Sequence, residues 1–506
     1  MKPLLFKPYR PNPFRSIAHQ LQTWLFPLFY WHNDWHLYTK FKLEPLIYSE
    51  HTLKHLRNAS QAKGGHLIVC NHVCFMDPHV IVETTRRGMG QMGISMAGND
   101  VFEGLYGFQA WYMSITGVFS LDRGSLDRRS MMMAEAVLAK HKEPLVIYAE
   151  GEADYSNQTL RPFYSGAFTF ALNHATKQGK QASSDAVTWI TPIAIRYQFV
   201  ESPEAEINTA IAALSEELDS LQPDLANRSI SKSASYEEKI RSLALKGIAI
   251  LEQEFLLSPQ ADLPLEERLT QCREAILISL CKEHCPEALE NISELTFQDI
   301  MALKNKIRSI LAKKYDAPDR IELEKALEIL PKSTIKDIKK LENQWLGMAI
   351  SRFYRADSLE KRRQRLEDHL NSILPWSKIR ENASPEARLR WKKQMNQTRQ
   401  VKLLWLLEED LVKLESNPSP HWEELDEALV KLEILLFSRF VYRARRRAFV
   451  SVGEPIDVQA FLKTNIDLGK RERLNQLTED THTSVKSLLD GLYEPETATA
   501  ADCVLA

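Results

Sequence analysis

Cysteine is scarce. Six cysteines in 506 residues, at 70, 74, 272, 281, 285 and 503, are too few and too scattered for a disulfide framework, so reduced thiols are expected. Neither sign of charge is in surplus. The formal net charge of −2 gives no footing for nucleic acid, because phosphate neutralisation needs a basic excess. A long apolar run is missing too. LQTWLFPLFYW at 21–31 is broken by Pro27 and followed at once by His32, Asn33 and Asp34, whereas a spanning helix needs roughly 20 apolar residues. No small-residue cleavage site follows it. Cys281, His284 and Cys285 have ligand-like spacing on one helix, but no second pair completes a four-ligand set, and no metal is expected.

With 44% hydrophobic and 26% charged residues, the chain is too apolar for disorder, and its length admits two domain-sized units. Trp24, Phe26, Phe29, Tyr30, Trp31 and Trp35 crowd the N-terminus. Such amphipathic rings suit the headgroup level of a bilayer. Residues 1–40 are therefore expected to form an interfacial aromatic helix region, peripheral or monotopic on the cytoplasmic face of a membrane.

Two compositions then follow. Within 64–200, HLIVC (66–70), GVFSL (117–121), PLVIYA (144–149) and VTWITPIAI (187–195) are short, rich in β-branched or aromatic residues, and separated by helical stretches such as 126–141. They read as strands of an α/β sheet. From Glu201 to about Arg447 the chain is Leu-, Glu-, Lys- and Ala-rich with almost no glycine, and predicts long helices broken at Pro223, Pro259, Pro286, Pro331, Pro375 and Pro418–Pro420. FVSVGEPIDV (449–458) returns to strand character, and its natural partner is the earlier sheet. The expectation is an α/β domain over 41–200 and 447–493, with a central mixed sheet flanked by helices. An all-α helical insertion over 201–446 and a mobile tail over 494–506 complete it. Of the insertion's tryptophans, Trp345, Trp376, Trp391, Trp405 and Trp422 are expected in its core. The basic FSRFVYRARRR at 437–447 fits either anionic lipid headgroups or a solvated helix end.

The chemistry concentrates in a few places. Asn71 and His72 leave a strand, and Asp77-Pro78 opens the next helix, with Asp77 as its cap and Pro78 at the first helical position. Over that distance the chain can fold back so that the carboxylate meets one imidazole nitrogen and leaves the other free to take a proton. Arg123 ends another strand as a cation suited to an anionic ligand. Glu150 and Gly151 end a third, and Pro192 interrupts a fourth, where it fits an edge strand.

In this order and at these intervals the blocks resemble the glycerolipid acyltransferase family, the group of 1-acylglycerol-3-phosphate acyltransferase. The resemblance covers about 40–200 and 447–493. His72 and Asp77 match the first block, Arg123 the second, Glu150 and Gly151 the third and Pro192 the fourth. It implies transfer of a fatty acyl group from acyl-CoA or acyl-ACP to a glycerolipid hydroxyl, without a cofactor. His72 would be the general base, oriented by Asp77, with Asn71, Arg123, Glu150, Gly151 and Pro192 around the substrate. Amides near Gly151 or Pro192 would face the oxyanion. The third block departs from the family: Glu152, Ala153 and Asp154 stand where Thr, Arg and Ser are usual. Added carboxylates work against a phosphate unless Arg161 or Arg128 compensates, and bring a neutral alcohol such as diacylglycerol or a long-chain alcohol into view. A thiol acyltransferase using Cys74 and a catalytically retired scaffold are the rival readings.

Overall fold

The computed structural model describes residues 28–492 except 49, 62–63, 99–112, 114–116, 122–126, 142, 180–185, 222–232, 258–262, 347–350, 352–353 and 418. Trp24, Phe26 and the tail at 494–506 lie outside the described residues. The strands are β1 (Ile47–Tyr48), β2 (Gly64–Cys70), β3 (Ile94–Gly98), β4 (Phe119–Leu121), β5 (Leu145–Tyr148), β6 (Val187–Phe199), β7 (Arg446–Val452) and β8 (Ile456–Asp457). They form one mixed sheet in the order β1-β7-β6-β2-β5-β3-β4, with β8 paired to β6. Around it lie α1 (Glu50–Gln61), α2 (Asp77–Met89), α3 (Arg128–Lys140) and α4 (Gly166–Gly179). The architecture is the mixed sheet flanked by helices, with a large helical insertion, that the change in composition predicts.

Strand β2 is buried on both faces, which is why HLIVC reads as a continuous apolar run. Its residues alternate. Leu67 and Val69 join the core shared with α3 and α4, together with Leu145 and Ile147 of β5. Ile68 and Cys70 point to the other core with Val146 and Tyr148, under α2. Each fully buried aliphatic side chain contributes roughly 2 kcal/mol. That alternation also decides where the strand's continuation points, and so where the site lies.

Between β6 and β7 the chain runs through helices from Glu204–Leu221 to Trp422–Phe437. Four of the elements near the site are α5 (Phe297–Asp316), α6 (Leu359–Glu381), α7 (Pro385–Ser416) and α8 (Trp422–Phe437), followed after the sheet by α9 (Lys470–Gly491). Much of this array has its own core, including Leu243, Leu277, Leu404 and Leu429. Leu366 and Leu370 of α6 instead join the core under the sheet. Trp345 and Trp391 are buried. Trp376, in contrast, is half-buried with the Lys313 ammonium 5.7 Å over its ring.

β7 pairs antiparallel with β6, Ile193 opposite Val452 and Phe199 opposite Arg446. The strand that follows the helices therefore does return to the sheet. Two expectations about proline fail. Pro375 does not break a helix; it sits inside α6, where buried Leu370, Ile373 and Ser377 on either side hold the helix despite one lost backbone bond. Nor does Pro192 mark an edge. It lies in β6, between β2 and β7, opposite Val69. Its carbonyl accepts from Gly453 N–H at 2.9 Å. Because N and C=O of one strand residue point the same way, its missing donor faces the Gly453–Pro455 junction between β7 and β8, where the ladder is already interrupted.

Candidate functional site

β2 ends at Cys70, and its two-residue phase carries His72 to the α2 side of the sheet. Cys70 is paired with Tyr148 of β5, and the His72 ring stacks on the Tyr148 ring at 4.3 Å between centroids. Asn71 points the other way and is buried, with both polar atoms bonded to the sheet. Its Nδ2 donates to Ile195 O at 2.9 Å, and its Oδ1 accepts from Ile195 N–H at 2.8 Å. It extends the sheet's bonding as β2 leaves.

His72 Nδ1 lies 2.7 Å from Asp77 Oδ2. The Asp77 side chain is fully buried and the imidazole 15% exposed. Asp77 is not the helix cap expected of it. Met76 holds that position with helical backbone angles, and no side chain caps the helix. The Asp77 carboxylate turns back into the preceding turn instead. Oδ2 also accepts from Cys74 N–H at 2.9 Å, and Oδ1 from Tyr197 O–H at 2.7 Å. These donors lock the carboxylate, which locks the ring. With Nδ1 engaged, Nε2 is the nitrogen left, and no hydrogen bond to it comes from the described residues. Cys74 is buried, and burial, with Asp77 beside it, pushes its thiol well above the usual value.

A second loop clamps this turn. Glu150, after β5, accepts from His72 N–H at 2.6 Å through Oε1 and from Arg161 N–H at 2.8 Å through Oε2. Asp154 N–H donates to His72 O at 3.1 Å, and Tyr155 N–H to Val73 O at 2.8 Å. Burial, then the neighbouring Asp154, raises the Glu150 carboxyl to about 8. Its role here is to position the histidine turn. Gly151 has φ +84, and a Cβ there would come within 2.8 Å of the Tyr164 ring, so the position requires glycine. The Gly151 amide donates to Tyr148 O at 2.9 Å; it is committed to the turn and does not serve an oxyanion.

The unusual carboxylates of this loop are matched by cations, two of them from the insertion. Lys304 of α5 bonds Glu152 at 2.6 Å, and Lys402 of α7 bonds Asp154 at 2.5 Å. Arg161 bonds Asp154 at 2.6 Å and also Glu409 of α7. Burial tends to raise Asp154, but Lys402 and Arg161 bring it below the usual carboxylate value. Burial lowers Lys304 to about 8, against the pull of Glu152. The expected conflict of charge is thus resolved inside the chain. Arg161 is spent on these acids. Arg123 and the side chain of Arg128 lie outside the described residues.

The segment 437–447 is partly folded inward, with Arg443 buried while Arg445 stays 60% exposed. Arg443 bonds Asp426 at 2.8 Å and also Glu433, Arg446 bonds Asp426, and Arg445 bonds Glu44 at 2.5 Å. Its aromatics line the histidine turn: Phe440 lies 5.5 Å from Phe75 and 5.6 Å from Tyr155. His284 is bonded by Gln394 and Lys314, and Cys281 and Cys285 are buried, which makes that trio a packed helix face.

His72, Asp77, Glu150 and Gly151 are therefore brought together; Asn71 and Pro192 serve the sheet. Tyr197 escapes a sequence reading that ends the strand at Ile195; two more residues of alternation place it beside Asp77. Lys304 and Lys402 carry no sequence signal, lying about 150 and 250 residues from their partners. Residues 51–196 match the family model described as Acyltransferase, a span that contains α1 to most of β6. No curated protein matches the chain.

Proposed function

We propose that this acyl-transferring enzyme, whose residues 51–196 form an acyltransferase-family domain, moves a fatty acyl group from the thioester of coenzyme A or acyl carrier protein to a glycerolipid hydroxyl at a membrane surface. The 2.7 Å bond between His72 Nδ1 and Asp77 carries this reading. His72 Nε2 takes the hydroxyl proton as that oxygen attacks the thioester carbonyl. The C–S bond breaks, and the imidazolium returns the proton to the departing sulfur, so an ester and a free thiol result. Asp77 keeps the ring in the tautomer that leaves Nε2 able to accept. The thioester is already activated, so no covalent enzyme intermediate is needed. Cys74, buried and poor in thiolate, is unsuited to forming one.

The direct experiment supplies labelled palmitoyl-CoA or palmitoyl-ACP with a panel of glycerolipid and alcohol acceptors and follows ester and free thiol. Absence of thiol release with every acceptor would return the chain to the retired-scaffold reading. Tyr197→Phe removes one donor to Asp77 without changing shape. It is expected to lower kcat about tenfold with KM unchanged; an unaltered kcat would show that Asp77 needs no such support.

The membrane part rests on the aromatic segment before α2. Among the described residues no helix is long and apolar enough to cross a membrane. Trp31 is 64% and Trp35 44% exposed, and Phe75, beside the histidine turn, is 48% exposed. The segment is tied to the element bearing Asp77, because Asn33 Nδ2 donates to His79 O at 3.1 Å and Asn33 Oδ1 lies 2.8 Å from His79 Nδ1. Rings that enter the interface would bring the site with them. Trp31→Ser with Trp35→Ser is expected to lower partition onto phosphatidylglycerol–phosphatidylcholine vesicles about tenfold, measured by co-sedimentation. Unchanged partition would remove these rings from the docking surface.

A further inference from the structure

A cavity of about 690 Å³ has Glu150 and Gly151 in its wall, and Glu150 is the residue that holds the His72 amide. Its other sides come from α5 of the insertion and from α9, with Lys402 of α7. Of its walls only the loop with Glu150 and Gly151 belongs to a block the sequence marks; the helices that complete it lie far away in the chain.

Its charges are already closed. The wall's cations are Arg161, Lys304 and Lys402, and each is held by a carboxylate of the chain itself: Asp154 and Glu409 for Arg161, Glu152 for Lys304, Asp154 for Lys402. Lys402 also donates to the carbonyl of Ala153 at 3.1 Å. The further wall carboxylates, Asp299 and Glu479, add negative charge only. An arriving phosphate would meet no uncommitted cation in this wall and would have to strand a buried carboxylate to obtain one. What the wall leaves unpaired is of another kind. Asn305 is buried, and among the described residues neither its Oδ1 nor the buried Nε2 of His482 has a hydrogen-bond partner. Both residues line the cavity, and an amide oxygen of this sort calls for an O–H or N–H donor.

We propose that this cavity receives an uncharged, hydroxyl-bearing head group of the acceptor lipid, hydrogen-bonded by Asn305 and His482, and discriminates against its phosphorylated counterpart. This rests on the acyl-transfer reading, and it names the substrate class for it. The insertion thereby contributes directly to acceptor choice, since its lysines neutralise the carboxylates of the loop and its α5 supplies the recognising amide.

The test uses the full chain with 1-butyrylglycerol and 1-butyrylglycerol 3-phosphate as probes, first in calorimetric titration and then as acceptors with palmitoyl-CoA. The neutral probe is expected to bind, and to be acylated, at least about tenfold better. Asn305→Leu is expected to weaken binding of the neutral probe and raise its KM about tenfold while kcat holds, with the melting temperature confirming a folded protein. Glu152→Gln, which frees Lys304, is expected to shift the preference toward the phosphorylated probe. Preference of the wild type for the phosphorylated probe, binding of neither, or an unchanged KM in Asn305→Leu would overturn the assignment. Neutral-probe binding that Asn305→Leu abolishes, without transfer to any acceptor, would support the cavity's ligand class and sink the acyl-transfer reading instead.

Discussion

His72→Ala is expected to lower kcat for acyl transfer about 10²–10⁴-fold, the usual share of a positioned general base, while leaving the fold in place. The imidazole is 15% exposed and stacks on Tyr148 from one side, and the backbone bonds of His72 to Glu150 and Asp154 do not depend on the ring. Thiol release from palmitoyl-CoA in the presence of acceptor measures the effect, and thermal melting checks the fold. Asp77→Asn tests the same bond from its other end. The amide cannot accept every donor now held by the carboxylate, namely Nδ1, Cys74 N–H and Tyr197 O–H. It leaves the ring free to adopt the wrong tautomer, for an expected loss of at least about 10²-fold. A His72→Ala protein within tenfold of wild type would end the assignment of the base.

The second large effect is on stability. Lys402→Met removes the ammonium that holds Asp154 and reaches the carbonyls of Glu152 and Ala153. Both partners are buried, and breaking such a pair from one side costs about 3 kcal/mol, most of it from a carboxylate left short of a counter-charge. Arg161 remains on Asp154, which keeps the expected loss at the lower end of that range. Urea denaturation followed by far-ultraviolet circular dichroism reads the shift. Because Asp154 N–H bonds the His72 carbonyl, kcat is expected to fall as well. A Lys402→Met protein as stable as wild type would mean that the insertion does not brace the loop.

These two sites illustrate different kinds of legibility. His72 and Asp77 are five positions apart, and a strand followed by a turn and a helix start brings such neighbours together with little help from the rest of the chain. Even there the detail differs. The sequence predicts Asp77 as the cap of α2, but the donors of the preceding turn and Tyr197 O–H compete for the same carboxylate and win it. Lys402 is the opposite case. A lysine on a long helix reads as a solvated charge, and only packing α7 against the loop buries it beside Asp154.

Pro192 and Pro375 make the same point for the backbone. Proline's missing donor is a local fact, but its cost depends on what faces it. Opposite Pro192 the ladder is already broken between β7 and β8, and around Pro375 buried side chains keep the helix intact.

The order of residues was enough to specify the alternating strands, the switch to a helical array, the return of a strand at Arg446–Val452 and the pairing of an imidazole with a carboxylate. All of these follow from period, propensity and short chain separation, which operate within a few residues. The closed charges of the cavity, the Tyr197 bond, the occupied amides of Asn71 and Gly151 and the burial of Arg443 came from folding alone. Each depends on groups distant along the chain meeting where water is excluded, and no local pattern records which lysine will find which acid.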